Sequence, residues 1–264
     1  MNFQHFAEGH GLIINSLVMD KWVRVPTSDH PHKRNGAYIY DGKSGAIQNW
    51  ATHEKPISWH SKEPYVPDPD RAAKRARAQK ELEERQSKAA GKAAFILHNS
   101  TKDTHPYLER KGFESAKGYV WMGGLILPMR IGRTLVGCQI IQPSGEKKFL
   151  FGQKTKGASL VIDNKGRDIL CEGFATALSV RRALRELRAR YTIHVCFSAG
   201  NMLEVAKGTS NPLVIADNDP VGLRTARQIG QFWSSAIEGE DFNDMELRLG
   251  TKAASQSLTA FLTP

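Results

Sequence analysis

The feature that most constrains this chain is the alternation in residues 161–264. Short apolar runs there take turns with helical patterns. Asp168-Ile169-Leu170-Cys171 is followed by a helical stretch from Thr176 to about Arg190. Ile193-His194-Val195-Cys196-Phe197 precedes a short helix from Met202. Leu213-Val214-Ile215-Ala216 precedes a helix from about Gly222 to Ser234. Strand–helix–strand order implies right-handed crossovers between parallel strands, because antiparallel neighbours need only a turn. The expected class is therefore α/β, with a C-terminal parallel sheet carrying helices on both faces.

Three further regions precede it. Residues 1–66 form a small sheet-rich module in which Trp22–Val25 and Ala37–Tyr40 are split by the turn pairs Asn35-Gly36 and Asp41-Gly42. The second of these turns predicts a hairpin. Residues 67–98 read as a basic connector helix, its helical stretch running from Asp70 to about His98 after Pro64, Pro67 and Pro69. Their strong helix formers have almost no apolar face early on, so the helix is either solvated or bound to something charged. Residues 99–160 form a basic α+β subdomain with a short helix at Tyr107-Leu108, a turn at Lys111-Gly112, and a hairpin turned by Pro143-Ser144-Gly145.

Charge narrows the function. The chain has 264 residues and a net charge of +10, and a basic excess of that size points to a polyanionic partner. Between residues 102 and 156 stand ten lysines and arginines against four acids, a net of +6. Arg130, Lys147, Lys148, Lys154 and Lys156 are the candidate phosphate contacts, with Phe149 and Phe151 interleaved as on a nucleic-acid surface. No run approaches the roughly 18 apolar residues of a membrane span, and no secretory signal is read, so a cytoplasmic protein with no membrane partner is expected. Three scattered cysteines, Cys138, Cys171 and Cys196, make neither a disulfide framework nor a zinc cluster. Trp22, Trp50, Trp59 and Trp121 could stack on bases, but in small sheets they are expected in the core.

Acids fall where an open parallel sheet places its ligand, beyond the C-terminal strand ends. Glu172 follows one apolar run, Asp217 and Asp219 follow another, and Asp241 and Asp244 come later. Asp217 and Asp219, two apart, would share a face in extended backbone and could hold a divalent ion together. The plainer alternative is that each acid is a helix cap or turn residue.

These motifs resemble the Toprim domain of bacterial-type primases, topoisomerases and several nucleases. The resemblance rests on Cys171-Glu172-Gly173 and on Ala216-Asp217-Asn218-Asp219, 45 residues apart from Glu172 to Asp217. Ser198-Ala199-Gly200-Asn201 and Asp241-Phe242-Asn243-Asp244 are similar to the phage- and plasmid-encoded primases. So are the upstream His105–Gly112, Leu127–Arg130 and Gln139–Leu150 stretches. The resemblance implies a metal-dependent primase that makes short RNA primers on single-stranded DNA from ribonucleotides, with a replicative helicase as a candidate partner. Glu172, Asp217 and Asp219 would be catalytic. Together with Asp241 and Asp244 they would bind Mg²⁺ or Mn²⁺. A Toprim nuclease and a non-catalytic nucleic-acid-binding replication or anti-defence factor are the alternatives. No GxxxxGK[ST] helicase loop occurs, so unwinding would come from elsewhere. The strand expected before Asp241 is poorly expressed, since Phe232–Gly239 runs almost directly from a helix into that acid.

Overall fold

The computed structural model describes residues 2–61, 70–163 and 165–262. The chain separates into two compact units, Met1–Lys74 and Arg75–Pro264. Prolines 64, 67 and 69, and the expected start of the connector at 67, lie outside the described residues.

The first unit is a four-stranded antiparallel sheet of β1 (Val23–Val25), β2 (Gly36–Tyr40), β3 (Ser44–Asn49) and β4 (Ile57–His60), in sequential order. Helix α1 (Phe3–Gly9) is capped by Asn2 and buries Phe3 and Ala7 against Leu12, Tyr38 and Ile47. Phe3 stacks on Tyr40 with ring centroids 4.5 Å apart. The Asp41-Gly42 hairpin is present between β2 and β3, with Gly42 at φ 92°. Asn35-Gly36 is not a hairpin turn, because Gly36 already pairs with Val25 as the first residue of β2. Trp22 and Trp50 depart from the expected core position. They are 51% and 49% exposed, and the Arg24 guanidinium lies 4.0 Å over the Trp50 ring.

Helix α2 (Arg71–His98) is solvated over its early turns, and near its end buries Ala93 and Ile96 against Ile126, Cys138 and Leu150. These belong to an antiparallel meander of β5 (Thr101–Asp103), β6 (Gly118–Trp121), β7 (Gly124–Ile131), β8 (Thr134–Ile141) and β9 (Lys147–Phe149), again in sequential order. Strand β9 stops at Phe149, so Phe151 follows the strand rather than alternating along it. Between β5 and β6 lies α3 (Pro106–Arg110), begun by a His105 cap and a proline at the first turn, where a missing N–H costs nothing.

The C-terminal sheet has the order β10-β12-β11-β13-β14, with β10 (Leu160–Asp163), β11 (Arg167–Cys171), β12 (Tyr191–Val195), β13 (Leu213–Ala216) and β14 (Phe232–Ser234). Four strands are parallel, as the alternation implied. The edge strand β10, which the apolar pattern did not reveal, is antiparallel. Residues two apart on β11 face opposite ways from their neighbours. Ile169 and Cys171 pack with α4 (Phe174–Glu186), α7 (Phe242–Leu249) and α8 (Thr251–Leu262), whereas Leu170 packs with α5 (Ala199–Ala206) and α6 (Pro220–Ile229). Both faces are thus covered, as expected of this α/β class. Two boundaries differ from the sequence pattern. Helix α4 ends at Glu186, just before Arg188 enters the left-handed region at φ 52°. Helix α6 ends at Ile229, and Phe232–Ser234, expected as its last turn, instead pairs with β13.

Candidate functional site

Strand β11 is central. The chain leaves it through α4 to reach β12 on one side, and leaves β13, its other neighbour, through α6 on the opposite face. Crossovers that diverge in this way open a crevice beyond the C-terminal strand ends. Glu172 and Asp217 both stand there, directly after Cys171 and Ala216. A cavity of about 440 Å³ is lined by Glu172, Asp217, Asp241 and Asp244, together with Lys147 and Arg110.

Asp217 is the least comfortable of these acids. Its Oδ1 is shielded from solvent and has no hydrogen-bond partner among the described residues. Burial, then the charges of Asp241, Glu172 and Asp219, push its pKa from 3.8 up to about 7, and Lys147 opposes the rise. Burial and the charge of Asp219 raise Glu172 as well, against Lys147 and a bond from the Ala199 backbone N–H. Desolvation and like charge act in one direction on a carboxyl, toward the protonated form.

The other three acids are tied more firmly. The Asp219 Oδ1 accepts from the Val221 and Gly222 N–H groups at 2.8 and 2.7 Å and caps α6. The extended face that Asp217 and Asp219 were expected to share is therefore replaced by a turn. Pro220 opens a helix there, and the Asp219 N–H bonds the Asp217 carbonyl at 2.8 Å. Gly222 is required at this turn, since a Cβ on it would stand 2.5 Å from the Asp217 carbonyl oxygen. The Asp241 Oδ1 caps α7 through the Asp244 N–H, and Asp244 pairs with Lys111 at 3.1 Å. Capping thus accounts for one oxygen of Asp219 and one of Asp241, and the first N–H of α5 engages Glu172, which leaves Asp217 without that explanation. Among the described residues, no three His, Cys, Asp or Glu side chains are gathered closely enough to hold a metal ion. The hard oxygen donors and the orphaned Asp217 Oδ1 nevertheless fit a divalent cation in kind.

Of the predicted basic contacts, Lys147 alone lines the cavity. Lys148 pairs with Glu146 at 3.0 Å and Lys156 with Glu204 at 3.4 Å. Arg130 bonds the Arg133 carbonyl, and Lys154 is exposed. The structure adds Tyr107, Arg110 and Lys111 from α3 and its following turn. Burial and then the charge of Asp241 push the Tyr107 phenol up to about 12. The signal for these residues was present in the short His105–Gly112 helix motif, but its pattern assigned them no role. Arg110 reaches the Pro143 carbonyl and so ties α3 to the β8–β9 turn, where Gly145 sits at φ 95°. Asn201 is buried and binds the Gly157 N–H and the Ala158 and Cys196 carbonyls, which joins α5 to the segment entering β10.

No protein-family model matches the chain, and no curated protein matches it. Among solved structures it is similar to the DnaG catalytic core, at 12% identity and a TM-score of 0.38, over 69% of this chain and 72% of that one. It is also similar to the DnaG primase catalytic domain bound to single-stranded DNA, at 13% identity and a TM-score of 0.37, over 69% and 71% of the two chains.

Proposed function

We propose that the acidic crevice is the nucleotidyl-transfer site of a Toprim-type primase, which synthesises short RNA primers on single-stranded DNA in phage or plasmid replication. One observation carries the reading. Asp217 is a half-buried carboxylate at the β13 end whose shielded Oδ1 has no partner among the described residues, with the charges of Glu172, Asp219 and Asp241 acting on it and Lys147 lining the same cavity. A structural acid is ordinarily paired or capped, and among the described residues this oxygen is neither.

Glu172, Asp217 and the uncapped oxygens of Asp219 and Asp241 would have to draw closer to hold Mg²⁺ or Mn²⁺, with Asp244 the fifth acid of the group. A divalent ion bound there would neutralise charge on the nucleotide phosphates and ease deprotonation of the attacking 3′-hydroxyl. The chain's own residues do the rest. Lys147 and Arg110 supply positive charge to the same cavity. The N-terminus of α4 lines the cavity at Gly173, Ala175 and Thr176; Gly173 supplies no side-chain cap and the Ala175 N–H bonds the Tyr107 oxygen, so a phosphate there would meet the positive end of the helix dipole. Where Glu172 does not ligate the ion, its raised carboxyl suits it to pass a proton at the reacting oxygen. The template would lie along the basic segment 102–156, the four segments 1–66, 67–98, 99–160 and 161–264 would act as functional parts, and a helicase partner in the cytoplasm would supply unwinding.

The test is labelled-ribonucleotide incorporation on single-stranded DNA, titrated with Mg²⁺ and Mn²⁺. The parent should make short RNA only with a divalent ion, and Asp217→Asn and Asp219→Asn should lose at least a hundredfold in rate. Metal-dependent cleavage of the DNA without incorporation would reassign the site to a nuclease. DNA binding with neither activity would leave a binding factor.

A further inference from the structure

Helix α4 has a second feature, remote from the acids. Arg181, Arg182 and Arg185 line a cavity of about 540 Å³ facing the turn after α3, with Phe113 and Leu178 as its apolar floor. At 1.5 Å rise per residue, Arg182 lies about 12 Å along the helix from Phe174, so this cavity and the acidic crevice use different parts of one helix.

The three guanidinium groups differ. Arg182 is committed, because it donates to the Gly112 carbonyl at 2.8 Å, pairs with the buried Glu246 at 3.5 Å and lies 4.2 Å over the Phe113 ring. Arg181 is not, because its Nε is shielded from solvent and has no hydrogen-bond partner among the described residues. Buried donors in that state are rare and call for an acceptor. Arg185 stands one turn further on, exposed, on the same face as Arg181. Glu114 is the one acid among the lining residues. Arg181 also borders a neighbouring apolar cavity lined by Lys102 and Lys117, so the positive character continues past Ala116 and Leu178.

We propose that this cavity is a phosphate-binding site, with Arg181 and Arg185 contacting the anion and Arg182 as a positioning residue. The guanidinium fork matches a phosphate's oxygens in a way a lysine does not, and the volume suits a group the size of a nucleotide. The phosphate belongs either to a free nucleotide or to the backbone of single-stranded nucleic acid. The assignment stands on the arginines alone and does not depend on the acidic crevice being a polymerase.

Binding is measured in chelator, to silence metal-assisted binding at the acids. One arm follows a fluorescent nucleoside triphosphate, the other the anisotropy of labelled oligothymidylate across a salt series. The parent should bind at least one of them, and Arg181→Gln and Arg185→Gln should each weaken that ligand at least fivefold. For the oligonucleotide, the double variant should also lower the log–log salt slope by about 1.4, or about 0.7 per phosphate contact on a single strand. Loss confined to the triphosphate identifies a nucleotide site, and loss confined to the oligonucleotide identifies a backbone site. Circular dichroism checks the fold. Should Arg181→Gln unfold, the exposed Arg185→Gln carries the test. Unchanged affinity for both ligands in folded variants, or a parent that binds neither, overturns the proposal.

Discussion

Replacing Asp217 by asparagine should stabilise the metal-free protein, and only at higher pH. The carboxyl pKa rises from 3.8 to about 7 on folding. That is a shift of about three pH units, and at 1.36 kcal/mol per unit the ionised side chain costs the folded state about 4 kcal/mol. Below pH 3.8 the group is protonated both folded and unfolded, and the cost is nil. Between 3.8 and 7 the folded chain keeps a proton that the unfolded chain has released, so stability falls by about 1.4 kcal/mol per pH unit. Above 7 the cost is complete and constant. The figure is a ceiling, because Asp217 is coupled to the raised carboxyl of Glu172 and the two titrate together. Asparagine has the same shape and no charge. In urea unfolding with chelator present, parent and Asp217→Asn should be equal near pH 4. The variant should be ahead by about 2–4 kcal/mol at pH 8. Parallel stability curves across that range would refute the reasoning, for they would mean that Asp217 is not held against its neighbours' charge.

Two further substitutions separate structure from chemistry at the same turn. Asp219→Asn keeps an oxygen able to cap α6, whereas Asp219→Ala does not. Melting should show about 1 kcal/mol lost in the alanine variant and little in the asparagine one, while both lose primer synthesis. Gly222→Ala sets a methyl 2.5 Å from the Asp217 carbonyl oxygen and should cost about 1–3 kcal/mol in denaturant unfolding, by displacing the turn that carries both aspartates.

The parallel sheet was legible because its central strands carry unbroken apolar runs, Ile169–Cys171 and Leu213–Ala216, buried at every residue. Glu172 and Asp217 were legible for the same reason, as the first charges after such runs. Strand β14 was not. Three residues long, it places only Trp233 deeply in the core, and its flanks suit a helix as well as a strand. Trp22 and Trp50 misled because aromatic content signals a sheet without saying which face is covered. Tyr107, Arg110 and Lys111 join the site only through tertiary packing. Leu108, Leu125 and Ile141 meet Ala175 in one apolar cluster, which holds α3 beside the start of α4.

That cluster also explains how the basic excess is divided. The sequence presents residues 102–156 as one positive block, but folding gives its members different roles. Lys147 is carried by the β8–β9 hairpin of the antiparallel meander to the acids of the parallel sheet, where it opposes the rise in both Glu172 and Asp217. Lys111 is spent on Asp244. Lys148 and Lys156 are held by Glu146 and Glu204 in pairs whose lysines are more than half exposed, and exposed pairs are worth no more than about 1 kcal/mol. A phosphate could displace either glutamate at small cost, so these lysines remain available to a strand of nucleic acid although each has a partner. Lys147 differs in kind, since removing it would leave two already strained carboxylates with less opposing charge. The crevice therefore draws on both sheets: one supplies the acids, the other a lysine that partly offsets their mutual repulsion.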